Sequence, residues 1–159
     1  MEIQKKLIQY NYSSRSGAEI KYIIIHDTGN ANKGANALAH YHYFNGANRK
    51  ASAHYFVDSE NIIQTVEDFN SSWHCGDGKG KYGIWNSNSI GIEICINSDG
   101  NYGNTLLNTH KLVLYLMDKH QICKKRVLRH YDASRKICPR TMSEDNWSGW
   151  FDFHSKLYC

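Results

Sequence analysis

Proline occurs once in this chain, at Pro139, and neither a low-complexity tract nor an internal repeat interrupts it, which excludes a repeat array from the start. Cysteine is present without a framework. The five residues at 75, 95, 123, 138 and 159 form an odd, irregularly spaced set, which argues for reduced thiols and against a structural disulfide. No apolar run reaches membrane-spanning length, and the N-terminal MEIQKKLIQYNYSSRSG lacks an apolar stretch flanked by a small-residue cleavage site. The expectation is a soluble protein made in the cytosol without a signal peptide and without membrane insertion. Basic residues are scattered, and the net charge is +4 with histidine neutral, so a nucleic-acid footprint is not indicated. GxGxxG and P-loop spacings are missing too, which leaves the glycine-rich stretch WHCGDGKGKYGIWNSN without a phosphate-binding reading.

What is there is ordinary in bulk and unusual in detail. Apolar residues make up 41% and charged residues 21%, while tyrosine numbers eleven and histidine nine; these last two types serve equally as cleft linings and as half-buried packing. Residues 1–159 fit one domain burying roughly two thirds of its unfolded surface. Within it the stretch RHYDASRKICP gathers a histidine, a lysine and a cysteine beside the lone proline. His130 and Cys138 are eight residues apart, a separation suited to a loop that folds back on itself. Zinc accepts mixed imidazole and thiolate ligands, and three ligands with an open fourth position is the catalytic pattern. An isolated His and Cys pair is also common without any metal. His26 ends the run KYIIIHDTG, where a rigid strand gives way to a turn, a place suited to a third ligand and equally to a histidine that caps the strand.

The periodicities predict an α/β architecture. Lys21 to His26 is a nearly continuous apolar run of the kind covered on both faces, and SIGIEICIN, Ser89 to Asn97, is the clearest strand, read from its alternation. In the second, the four isoleucines share one face with Gly91, Glu93 and Cys95 on the other, so Glu93 is an anomaly: a carboxylate there needs a salt-bridge partner or a cleft. Ser52 to Asp58 and the following IIQTV form a hairpin that sets His54 and Phe56 on one face and Tyr55 and Val57 on the other. Helices are expected at Lys33 to Asn45 with Ala35, Leu38, Ala39 and His42 inward, at Thr105 to His120, and at Ser143 to about Leu157 with Trp147, Trp150, Phe151, His154 and Leu157 inward. Val127 to Arg129 is a short strand that delivers His130 to a loop, and residues 1–19 read as an arm or short strand.

Taken in order, IIIHDTG, SAHYFVD, WHCGDG, SIGIEICIN and RHYDASRKICP resemble the zinc-dependent N-acetylmuramoyl-L-alanine amidases, a family that includes phage lysozyme-type amidases and the peptidoglycan recognition proteins. The resemblance covers Lys21 to about Arg140. It implies a single domain with a mixed central sheet flanked by helices and one zinc ion at the floor of a groove. It implies His26, His130 and Cys138 as the ligands, Glu93 and Lys136 as catalytic groups, and Trp73, His74 and Gly76 near the substrate. Some relatives carry a tyrosine where this chain has His54, which is left as a residue supporting the site by hydrogen bonding. The implied reaction is hydrolysis of the amide between N-acetylmuramic acid and L-alanine in peptidoglycan, by a monomer made in the cytosol and acting on the wall after release, as a phage or prophage endolysin does.

That chemistry is coherent on its own terms. Zinc polarises an amide carbonyl and lowers the pKa of water to roughly 7, Glu93 moves the proton, and Lys136 offers a full charge to the oxyanion. Three rivals are a module that holds peptidoglycan without cutting it, a cytosolic wall-recycling amidase, and a structural zinc domain in which His74 or Cys75 closes the coordination. The intact cysteine at 138 favours catalysis over the first.

Overall fold

The computed structural model describes residues 2–158. Its strands are β1 Gln4–Lys5, β2 Tyr12–Ser14, β3 Tyr22–Asp27, β4 Tyr55–Val57, β5 Ile62–Gln64, β6 Asn70–Ser72, β7 Ser89–Ile94 and β8 Val127–Arg129. Its helices are α1 Ala37–Asn45, α2 Tyr102–Lys119, α3 His130–Ser134 and α4 Glu144–Ser155. Among the described residues, six strands form one sheet in the order β1-β5-β4-β7-β3-β8, and β2 pairs with β6 in a second. The large sheet is mixed: β4, β7, β3 and β8 run parallel, while β5 returns antiparallel to β4. Among the described residues, no helix is long and apolar enough to cross a membrane.

The isoleucine runs form the two central strands because their branched side chains suit a pleated surface covered on both sides. Register matches Ile25 to Ile92 and His26 to Glu93. One face carries the main core: Ile23, Ile25, Tyr55, Val57, Ile90, Ile92 and Ile94 meet Leu112, Val113 and Leu116 of α2 and Trp150 and Phe153 of α4. Each such side chain, fully buried, contributes about 1.5–3 kcal/mol. The opposite face holds two smaller clusters, Phe56 and Ile63 with Ala37, and Ile24 with Cys75, Ile84 and Ala133. Polar side chains occupy this face as well: His26, Glu93 and His54.

Several elements differ from the periodicity. Helix α1 starts at Ala37, because the Asn36 side chain accepts the Ala39 N–H at 3.0 Å and caps the helix there. Its inward face is Ala37, Tyr41 and Phe44, whereas Leu38, Ala39 and His42 face solvent; the aromatic rings bury far more area than the alanine stripe could. Helix α2 begins three residues early, at Tyr102, because Asn101 caps it by accepting the Asn104 N–H at 2.9 Å. In it Leu107 is exposed and Leu112 is fully buried. At the start of α4, Asp145, Asn146 and Trp147 have φ of 46°, 54° and 70°. The helical phase is therefore set after this turn, and Trp150, Phe153 and Leu157 point inward while Phe151 is exposed. Ser143 makes no side-chain cap. His130 opens a short helix instead of a loop. Cys75, Cys95, Cys123 and Cys138 are free thiols, as expected; Cys159 lies outside the described residues.

The N-terminal arm is tied down by a buried polar hub. Arg15 donates to the carbonyls of Asp68 at 2.6 Å, Ser87 at 2.6 Å and Ser89 at 2.7 Å. The Asp68 carboxylate accepts from Tyr55 at 2.7 Å, Lys119 at 2.8 Å, His120 at 2.9 Å and Gln64 at 3.2 Å, joining β4, β5 and the end of α2. Burial alone would raise this carboxyl, but the bonds from His120, Lys119 and Tyr55 outweigh it and hold it well below the usual carboxylate range. A carboxyl whose pKa is lower folded than unfolded stabilises the fold above its unfolded value, about 3.9, and that contribution is lost as pH falls through the lower folded value. Asp68→Asn should therefore cost about 2 kcal/mol at pH 7, with the difference from the unaltered protein shrinking as denaturant unfolding is repeated below about pH 4. A pH-independent difference would contradict this.

Candidate metal centre

Three segments converge at the C-terminal ends of the parallel strands, the usual place for a ligand site in a sheet of this kind. His26 is the fifth residue of β3, His130 follows directly on β8, and Cys138 comes back on the next turn. Two sets of bonds fix that turn. The Tyr131 N–H donates to the Cys138 carbonyl at 3.1 Å, and the Asp27 carboxylate accepts from the Thr141 N–H at 2.8 Å and its hydroxyl at 2.9 Å. The result is a buried triad whose ligand atoms lie within 4.8 Å of one another. His26 Nδ1 is 3.1 Å from His130 Nδ1 and 3.8 Å from Cys138 Sγ.

The neighbours orient these groups. His130 Nε2 donates to Asp77 Oδ1 at 2.7 Å, so the ring turns Nδ1 towards His26. Asp77 reaches it because the loop after β6 lies directly on α3: a Cβ at Gly78 would come 2.2 Å from the Ala133 carbonyl oxygen, so only glycine permits the approach. His26 Nε2 lies 3.0 Å from His74 Nδ1. Glu93, side by side with His26 in the sheet, brings Oε1 to 4.0 Å from His26 Nδ1, and its Oε2 is buried without a hydrogen-bond partner.

Electrostatically the set is short of positive charge. Burial first, then His74 and His130, push the His26 imidazolium well below its usual range. Burial lowers His130 as well, against the opposing bond to Asp77. Burial, then Asp27, raises Glu93 well above the carboxylate range, with Lys136 acting the other way. Burial and then Glu93 push the Cys138 thiol up to about 12. Two neutral imidazoles and a thiol converging on one point, with the Glu93 carboxyl 4.0 Å from His26 Nδ1, are what a divalent cation would convert into a balanced site, and nitrogen with sulfur donors suit zinc.

The other residues singled out from the sequence fall in different places. Lys136 is solvent-exposed, and its charge acts on His26, Glu93 and Cys138. Trp73 is half-buried and its ring N–H donates to Ser13 at 3.2 Å, towards the small sheet. Gly76 is exposed and abuts the Asn86 side chain. His74 lies on the Nε2 side of His26, away from Cys138, and Cys75 Sγ is beside Ser89 at 3.7 Å; neither belongs to the group of three donors within 4.8 Å of one another. His54 is fully buried, its Nδ1 accepting from the Gly91 N–H at 3.0 Å and facing the Ser72 hydroxyl at 2.7 Å. Asp77 went unassigned in the sequence, where the one acidic residue in WHCGDG carried no periodic signal.

The sequence profile of the N-acetylmuramoyl-L-alanine amidases matches residues 16–141. Among relatives, the N-acetylmuramoyl-L-alanine amidase CwlH of Bacillus subtilis (strain 168) is 36% identical over 152 residues, covering 94% of this chain and 60% of the relative. XlyA of the same organism is 38% identical over 129 residues, covering 81% and 42%. The chain thus spans about half the length of these relatives. The catalytic domain of XlyA superposes with a TM-score of 0.86 at 34% identity over 98% of both chains. PlyL does so with a TM-score of 0.82 at 31% identity, over 100% of this chain and 98% of its own.

Because the Cys138 thiol must give up its proton to ligate, zinc added to metal-free protein at pH 7 should release about one proton per chain. Calorimetry in two buffers of different ionisation enthalpy reads this directly. Affinity should rise with pH, and uptake without proton release would place the metal elsewhere.

Proposed function

The chain belongs to the N-acetylmuramoyl-L-alanine amidase family, and from that premise we propose that it hydrolyses the amide between N-acetylmuramic acid and L-alanine in peptidoglycan, with one zinc ion held by His26, His130 and Cys138. The observation that carries this reading is the convergence of those three donors within 4.8 Å beside a carboxylate in register with His26. When bound, zinc supplies Lewis acidity towards the amide carbonyl and makes an attacking water more acidic.

The chain's own residues do the remaining work. Glu93 is the general base: its unpartnered oxygen is free to take a proton from water and return it to the leaving amine, and a carboxyl raised by burial is better matched to both transfers near neutral pH. Lys136, exposed at the rim, offers its ammonium to the oxyanion of the tetrahedral intermediate. Asp77 keeps His130 oriented through the 2.7 Å bond. The substrate is the bacterial cell wall, lysed as by an endolysin, and Trp73 and Gly76 belong to the loop through which the wall strand is approached.

Digestion of purified peptidoglycan should release free alanine amino groups. Reducing sugars instead would mark a glycosidase, and neither product a binding module. Glu93→Gln should keep the fold and the zinc and still bind wall fragments, while turnover falls about 100- to 10,000-fold, mainly in kcat. If Glu93 only anchors structure, the same change should lower the melting temperature and leave turnover per folded molecule intact. A stable, zinc-loaded, fully active variant would sink the mechanism.

A further inference from the structure

His26 has two ring nitrogens, and only one can present a lone pair to a metal while the ring carries a single proton. Nδ1 faces His130 and Cys138, and Nε2 faces His74 Nδ1 at 3.0 Å. What decides the proton's position lies farther back. His74 Nε2 is 3.1 Å from Ser89 Oγ, and Ser89 Oγ is 2.6 Å from the Trp85 carbonyl oxygen. A carbonyl only accepts, so the single Ser89 proton goes to Trp85 and the hydroxyl oxygen has only lone pairs left for His74. His74 must then carry its proton on Nε2 and accept through Nδ1. His26 therefore donates from Nε2 and keeps Nδ1 unprotonated, facing the other two donors.

We infer that His74 is a positioning residue for the metal centre, holding His26 in the one tautomer that can ligate, with the direction of the chain set by the Trp85 carbonyl through Ser89. The inference rests on the zinc reading above. A second observation supports it independently. Gly91 sits in the middle of β7, where glycine weakens a strand, and a Cβ there would come 2.5 Å from His74 Cγ; the strand gives up a side chain at the spot where the His74 ring lies. Cys75 Sγ, 3.9 Å from His74 Nε2 and 3.7 Å from Ser89 Oγ, leaves the order unchanged, because its S–H can donate to the remaining Ser89 lone pair. His130 receives the equivalent instruction from a carboxylate. His26, buried deeper in the sheet, receives it from a neutral relay that adds no charge behind the ligand.

Zinc affinity, measured by competition with a chromophoric chelator, separates this from a merely structural role. His74→Leu should weaken zinc binding about 10- to 100-fold. His74→Asn should restore most of it, because the amide oxygen stands near the lost Nδ1 and accepts the same proton. In the zinc-loaded unaltered protein, long-range nitrogen–proton NMR should find the His74 proton on Nε2. Unchanged affinity in His74→Leu, or a His74 proton on Nδ1, would overturn the inference while leaving the zinc reading standing; failure of the unaltered protein to take up zinc would overturn that reading itself. If His74→Leu does not fold, Ser89→Ala, which removes the hydroxyl that accepts from His74 Nε2, replaces it: weakened zinc binding supports the relay and unchanged binding overturns it.

Discussion

The pairing of His26 with Glu93 across two parallel strands is the constraint on which the rest of the site depends. Side chains alternate along a strand, so a slip of one residue in either would carry that residue to the isoleucine face and put a neighbour in its place, Ile25 or Asp27 for His26 and Ile92 or Ile94 for Glu93. The register is held by the same isoleucines that form the core on the opposite face. The hydrophobic pattern that stabilises the sheet thus also aligns the imidazole and the carboxylate. His130 reaches the same point because β8 pairs with β3 over Ile23 to Ile25 and ends one residue before it.

The two faces of the sheet divide the labour. Beneath α2 and α4 the packing is almost wholly apolar, and here large side chains determine stability. On the other face the apolar material is split into two small clusters, and ionisable groups occupy positions that a continuous core would fill. Burying such groups unpaired is expensive, and hydrogen bonds meet most of the demand: Asp77 for His130, His74 for His26, Gly91 and Ser72 for His54. Glu93 Oε2 is left without a partner, on a residue whose other oxygen lies 4.0 Å from His26 Nδ1.

The glycine-rich loop after β6 illustrates how a segment without periodicity becomes specific. It brings Asp77 to one imidazole and His74 to the other, and it does so through close approaches at Gly78 and Gly91 that any side chain would block. Its Asn86 accepts the N–H groups of His74 and Cys75 at 3.1 and 2.8 Å, which fixes the loop from within.

By itself the sequence determined the α/β class, the strands around His26 and Glu93, the face that Glu93 takes, and the order of motifs that marks the family, because apolar alternation and local turn chemistry act over a few residues. It also singled out the three donors, through a histidine at a strand end and a histidine and cysteine flanking one turn. The helix starts were less legible, since single asparagine caps at 36 and 101 outweighed the apolar pattern, and the inward face of α1 went to Tyr41 and Phe44 because their rings meet Phe56, a partner distant in sequence. The partners of the histidines were decided by tertiary structure alone. His74 and Asp77 sit in a loop with no regular spacing, and what they do depends on which ring nitrogen lies within about 3 Å of them, a distance that exists only once β3, β7 and α3 have packed against that loop.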